Sequence, residues 1–335
     1  MRIPLPTPAP LFMALLLTCV ACGEPDRAPR EAAAADAAAT VAPGAVPDGA
    51  EAVSLLGRPL YAPLLPDSLR EDREARLAEA RAALQASPED ADALIWMGRR
   101  LAYLGRYREA IDVYGQGIAL HPGDARFYRH RGHRYITVRR LDDAVTDLRR
   151  AADLVEGTED EVEPDGLPNA ANLPTSTLHF NVWYHLGLAH YLKGELEQAL
   201  LAFNECLDVS RHADSVIAAT YWLNNILRRL GMQERAREAR ARVRGEQDVI
   251  ESGSYLDVLL LHEGERTADD LVGAGSAEPT LASTTTAYGV GNWHFVEGRR
   301  ERAYEIWEGM LAAEDQWAAF GYLAAEAELA RVQGR

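Results

Sequence analysis

Lysine is nearly missing from this chain. Lys193 is the only one among 335 residues, so no Gly-Lys-Ser/Thr phosphate loop exists and Lys193, just before Gly194, is the sole candidate for a Schiff base. Cysteine is scarce as well: Cys19 and Cys22 lie near the N-terminus and Cys206 is alone further in, which leaves no intrachain disulfide framework. Catalytic signatures are lacking too. "HEGER" at 262–266 is not H-E-x-x-H, no G-x-S-x-G occurs, and the Ser and Thr of "LPTSTLHFN" have no identifiable base. Basic residues are outnumbered, 35 against 51, for a formal charge of −16. The molecule as a whole therefore repels nucleic acid and anionic membrane surfaces. What remains, 47% hydrophobic and 26% charged, is the composition of a folded protein with a large core.

The first 22 residues carry one positive charge, Arg2, then the apolar run "LFMALLLTCVACG", which is short for a bilayer span. Its end resembles a bacterial lipoprotein lipobox, with Val20-Ala21 before Cys22 and Gly23 after it. The usual leucine three residues ahead is replaced by Cys19; cleavage before Cys19 would restore it as Leu16 but leave Thr18 at the cut. The expectation is an exported lipoprotein facing the periplasm or cell exterior, lipidated at Cys22 with Cys19 as the alternative. Simple secretion and an uncleaved anchor stay open. Residues 23–53, almost all Ala, Pro, Gly and acid, have no apolar period and read as a flexible tether. As a coil it would span roughly 30 Å. Residues 54–68 contain "SLLGRPLYAPLLP" and read as an extended strap on the first helices.

From residue 69 the apolar residues recur at helical spacing in paired segments broken by Gly or Pro. "ALIWMGRRLAYLGRYREAIDVYGQGIALHPGD" carries Gly98, Gly105, Ala110 and Gly117, and Gly132, Ala144 and Ala151 follow Gly98, Ala110 and Gly117 by 34 residues. This pattern resembles the tetratricopeptide repeat, in which small residues let two paired helices touch. The best repeats are 91–124, 125–156 and 180–213; weaker ones are 217–246, 250–273 and 284–313, with a capping helix at 316–331. The fold class expected for 69–335 is an all-α, right-handed superhelical solenoid of helix-turn-helix repeats. As a whole the chain is similar to exported bacterial repeat proteins of unassigned activity.

The resemblance implies that the first helix of each pair lines a concave face. Its inward positions would be Arg99 and Tyr103, Arg129, His133 and Thr137, Tyr184 and Tyr191, Tyr221, Asn225 and Arg228, then Tyr288, Asn292 and Phe295. A groove of Tyr, Asn and Arg, basic in its N-terminal half, would take a protein, an extended peptide, a terminal carboxylate or an acidic segment. Peptide-binding members of the family grip a terminal carboxylate with lysine, arginine and asparagine on successive first helices. Asn225 and Asn292 stand where such an asparagine belongs, but the lysines are missing. The plainer reading packs the tyrosines between neighbouring helices and leaves the arginines solvated or salt-bridged. No cofactor is implied. His130 and His133 share a helix face, and His179, His185 and His190 cluster in sequence, yet a zinc site wants three or four ligands with a carboxylate or cysteine nearby. His185 and His190, five apart, point to different faces.

The repeat clock slips once. The helical glycine after Gly132 is Gly187, 55 residues on, or 34 plus an insertion of 21, at about 156–177. Six acids lie between Glu156 and Asp165, so removing that half would change the charge from −16 to −10, and it reads as hanging in solvent. The second half, "LPNAANLPTSTLHF", has prolines that fix its path and hydroxyls able to cap the next helix. It enters beside Asn181, Tyr184 and His185, and reads either as a lid or internal ligand mimic over the groove, or as a cover for an apolar edge. A noncatalytic binding scaffold is the leading function. An enzyme with His133, His179 or His185 as base, using the 156–180 loop and the groove, is one alternative; a purely structural assembly subunit is the other.

Overall fold

The computed structural model describes residues 46–169, 171–243, 249–272 and 281–334. Residues 1–45, with the export signal, Cys19, Cys22 and most of the tether, lie outside the described residues. So do short stretches at the ends of the repeats expected at 217–246 and 250–273. Helix α1 (Asp67–Ala86) precedes a series of pairs: α2 (Ala91–Tyr103) with α3 (Tyr107–Leu120), α4 (Ala125–Thr137) with α5 (Leu141–Val155), and α6 (Leu178–Lys193) with α7 (Leu196–Val209). The series goes on with α8 (Ala213–Arg229) and α9 (Gln233–Arg240), α10 (Gly253–Glu263) and α11 (Ala268–Val272), and α12 (Leu281–Val296) and α13 (Arg300–Met310). After a 3-10 turn at Glu314–Gln316, α14 (Phe320–Val332) ends the chain's regular structure.

Local chemistry sets the helix ends. The side chains of Asp90, Asp124 and Thr177 accept from the amides of Ala93, Arg126 and Phe180, which caps α2, α4 and α6. Four of the pairs then close where a glycine on the first helix meets a large side chain sixteen residues on. A Cβ at Gly98 would fall 2.4 Å from the ring of Tyr114, one at Gly187 2.6 Å from Phe203, and one at Gly291 2.3 Å from Trp307. These separations are far below van der Waals contact, so the close approach of the helices requires glycine. In the α8–α9 pair the same place holds Asn224, whose Oδ1 accepts from Arg240 Nη1 at 2.6 Å. A polar contact replaces the glycine-ring contact there.

The turn inside most pairs uses a left-handed glycine, as at Gly105 (φ 78°) and Gly194 (φ 79°). The α4–α5 turn uses Arg139 instead, at φ 65°, a region that L side chains avoid. Its guanidinium reaches Glu326 on α14 at 2.7 Å and the Trp317 carbonyl at 2.9 Å, with both charged side chains buried. That contact places α14. It does not merely close the last repeat as a capping helix: Gly321–Ala330 are all buried, as suits a helix surrounded on every side. Phe320 packs against His133, Tyr184 and His185, inward positions of the second and third pairs. Further along, Glu328 receives Arg229 of α8 at 2.9 Å, and Arg331 donates to the Leu192 carbonyl at 2.9 Å.

The strap is tied to both ends of the array. Strand β1 (Ala52–Val53) pairs antiparallel with β2 (Pro59–Leu60). Glu51 accepts from the Arg108 amide on α3, while the Leu55 amide donates to Glu326 and Arg58 to the Tyr322 hydroxyl. The tether expected over 23–53 therefore stops short, since Ala50 and Ala52 are buried in this contact. Replacing Arg139 leaves Glu326 buried without its cation, a loss of about 3–5 kcal/mol. Glycine would recover about 1 kcal/mol of backbone strain that alanine would not. Urea unfolding should show both Arg139→Ala and Arg139→Gly destabilised, with the glycine variant the milder; equal stability of either variant with the unaltered chain would refute this account of α14.

Candidate functional site

The insertion between α5 and α6 is zipped at its base. Val162 and Thr177 form an antiparallel bridge, the Glu163 amide donates to the Ser176 carbonyl at 3.2 Å, and the Leu178 amide donates to the Glu161 carbonyl at 2.9 Å. Alternation along this short ladder turns the Glu163 side chain inward, toward α4 and α6. Its carboxylate meets Arg129 Nη2 at 2.7 Å, accepts from Asn181 Nδ2, and faces His130 Nε2 at 3.4 Å. The chain then crosses to α2. Arg99 Nη2 donates to the Pro164 carbonyl at 2.8 Å, and Arg100 Nη1 to the Gly166 carbonyl at 3.1 Å. Gly166 lies on Tyr103 so closely that a Cβ would sit 1.9 Å from the phenol oxygen. The acidic half thus does not simply hang in solvent: Glu156–Val162 are exposed, but Glu163 and Gly166 are buried.

The second half holds one shape through Asn169. Its Oδ1 accepts from the amides of Ala171 and Leu173, its Nδ2 donates to the Leu173 carbonyl at 2.6 Å, and both it and Thr175 bind the Glu251 carboxylate, at 3.0 and 2.6 Å. Leu167 and Leu173 are 48% and 54% exposed, which argues against a cover for an apolar edge. Two adjoining cavities share Glu251. One, of about 160 Å³, is polar and lies among Arg99, Arg129, Asp165, Thr175 and Asn181; the other, of about 480 Å³, lies against His133, Tyr255, Leu281 and Phe320.

Arg99 and Arg129 line the polar cavity together with the carboxylates of Glu163, Asp165 and Glu251. Arg99 and Arg100 on α2 and Arg134 on α4 have no carboxylate partner among the described residues; Arg134 instead lies 5.4 Å from the Tyr107 ring centre. Burial, then the Arg129 and Arg99 guanidinium groups, holds the His130 imidazole well below its usual pKa; burial and Arg129 do the same to His185. His133 is lowered chiefly by burial, then by Arg134. The neutral rings fit their contacts: Arg129 Nη1 donates to His130 Nδ1 at 2.8 Å, and His185 Nδ1 donates to the Asn181 carbonyl at 2.5 Å. His133 and His185 pack at a tilt across repeats with ring centres 4.1 Å apart. His179 bonds Thr158 and His190 bonds Glu195, so the sequence cluster of histidines is spread over three places. Among the described residues no group of three potential ligands comes together for a metal.

Of the site residues expected, the structure brings together Arg99, Tyr103 and Arg129 from the inward positions and Asn181 from beside the insertion, with His133 in the adjoining cavity. The others are corrected. Tyr184 hydrogen-bonds Tyr255 at 2.9 Å and Trp222 at 2.8 Å, Tyr221 is 1% exposed, and the Tyr288 hydroxyl meets Tyr191 at 2.5 Å. Asn225 and Asn292 are fully buried, Asn292 accepting from Arg229 at 2.6 Å, and Arg228 pairs with Glu297. The C-terminal half of the expected groove is interior because first helices pack on one another and on α14. Glu163, Arg100, Glu251 and Phe320 were not legible as site residues. Glu163 is one acid among six, and nothing local distinguishes it before the bridge sets which way it turns.

The unfolded chain takes up protons on His130, His133 and His185 near pH 6.5 and the folded chain does not. Stability is therefore complete above about pH 6.5 and falls below it, by up to about 1.4 kcal/mol per pH unit for each imidazole. Urea unfolding between pH 7.5 and 5 should show a shallower loss for His185→Phe than for the unaltered chain; equal slopes would contradict a neutral buried His185.

Residues 180–212 match the tetratricopeptide repeat family. No curated protein matches the chain. Among solved structures it is similar to YrrB, described as a tetratricopeptide repeat protein with an unusual peptide-binding site, at 18% identity over 70% of this chain and 91% of that one, TM-score 0.41. It is also similar to a tetratricopeptide repeat protein from Parabacteroides merdae, at 16% identity over 75% and 93%, TM-score 0.46, and to MamA, at 17% over 52% and 82%, TM-score 0.40. The assignment rests on the matched repeat and on the construction of its neighbours, in which a glycine meets a large side chain sixteen residues on and a left-handed residue makes the turn. With that geometry shared by helix pairs on both sides of the match, residues 180–212 form one tetratricopeptide repeat within an array of pairs built in the same way.

Proposed function

We propose that the protein is an exported, lipid-tethered scaffold that binds a peptide or protein partner on its concave side and performs no reaction on it. One observation carries the binding reading: a stretch of backbone lies across the first helices α2, α4 and α6, held by a buried carboxylate and by arginines on its carbonyl groups, as a bound peptide would be. Side chains that hold backbone carbonyls and one acid can hold another chain's as well as this one's. Export and anchoring rest on Arg2, the apolar run ending at Cys22 and the Ala/Pro-rich stretch after it.

Envelope proteins cross-linked to the unaltered chain should be lost or reduced with Arg99→Ala and with Arg129→Ala, each checked for cooperative unfolding. Identical partner sets from folded variants would remove the concave-face reading. Separately, Cys22→Ala should move the protein from the membrane to the soluble fraction while Cys19→Ala does not; membrane retention of Cys22→Ala with release of Cys19→Ala would assign the anchor to Cys19.

A further inference from the structure

Glu163 to Gly166 is held on the helices by a carboxylate, two carbonyl groups and a bare Cα, and buries no apolar side chain in the core. Segments held by a few polar contacts open locally at far lower cost than core helices. The base of the insertion, bridged at Val162 and Thr177, stays attached on either side of such an opening.

The segment also leaves much of the site unused. Four guanidinium groups, those of Arg99, Arg100, Arg129 and Arg134, stand on α2 and α4, and only that of Arg129 has an ion-pair partner among the described residues. The Nε of Arg129 is buried without a hydrogen-bond acceptor, although the group would ordinarily have one. The cavity of about 480 Å³ beside Glu251 has the size of a ligand pocket, and no residue of the insertion lines it. With Glu163 and Asp165 lifted out together, an acid in the polar cleft would face Arg99 and Arg129 against Glu251 alone, and an apolar side chain would fit the larger cavity. Glu163 supplies the first alone.

Building on the concave-face reading above, we propose that Glu163–Gly166 is a displaceable internal ligand. The ligand it stands in for is an extended acidic segment of another protein, with an apolar side chain close to its glutamate or aspartate. The internal copy competes at the high effective concentration of a short tether, on the order of millimolar. A foreign segment must therefore bring contacts that Glu163 lacks, and the unpaired arginines and the apolar cavity provide them. Weak acidic peptides are excluded until the insertion lifts. Binding and release of the insertion are thereby coupled.

The test uses the full chain in detergent and the labelled nonapeptide DEVEPDGLP, copied from residues 160–168, with binding read by fluorescence anisotropy. Glu163→Gln should bind the peptide at least about tenfold more tightly than the unaltered chain, and a variant with 157–175 shortened should do the same. The peptide with glutamine in place of the glutamate that corresponds to Glu163 should lose about tenfold on both variants, as expected for a charge-assisted contact. Adding Arg129→Gln to the shortened variant should abolish binding. A cooperatively unfolding Glu163→Gln or shortened chain that binds the peptide no better than the unaltered one would overturn the proposal, as would equal binding of the two peptides. If cross-linked partners are lost with folded Arg129→Ala while neither peptide binds any variant, the concave-face reading stands and the internal ligand falls.

Discussion

One buried ion pair organises the molecule. Arg139 occupies a turn position that the equivalent turns give to glycine, accepts a left-handed backbone, and in return holds Glu326 in the middle of α14. A carboxylate with no exposed surface is costly unless several donors meet it, and here the Leu55 amide of the strap meets it too. The strap and the last helix are therefore joined on one residue. With α14 held there, Phe320 is set against His133 and His185, and a face that a simple solenoid leaves open to ligand is largely filled by the protein itself.

What is not filled is a cationic region on α2 and α4. Burial, with the region's arginines second, makes the neighbouring imidazoles poor proton acceptors, and the neutral rings of His133 and His185 can then pack on one another and on Phe320 without adding charge. One acid from the insertion offsets part of the field. The placement depends on the bridge at Val162 and Thr177, because shifting a two-stranded register by one residue would turn Glu163 outward and Val162 in. Affinity for an acidic segment and the presence of a competing acid thus arise from the same few side chains.

The repeat architecture was legible because it is local. Gly98, Gly132, Gly187 and Gly291 each answer to a large residue within their own helix pair, so the 34-residue spacing carries the information without any distant partner. The insertion was legible as a slip in that spacing, and its second half as a shaped loop, since Asn169 bonds its own neighbours. Arg99, Tyr103 and Arg129 were legible as a basic, polar face for the same reason, since helical phase puts them on one side, and Asn181 was legible as the residue beside which the insertion enters. Tyr221, Asn225, Tyr288 and Asn292 share that phase yet are interior, and phase alone could not separate the two groups.

The sequence by itself determined the helix pairs, their turns, the insertion and the basic character of the first inner faces. Tertiary structure alone decided which inner faces remain accessible, that Glu163 rather than its neighbouring acids enters the cleft, and that the last helix runs through the array. The reason is range. Periodicity and capping record interactions between residues a few positions to one repeat apart, whereas Arg139 with Glu326, and Glu251 with Asn169, join positions whose separation leaves no trace in any local pattern.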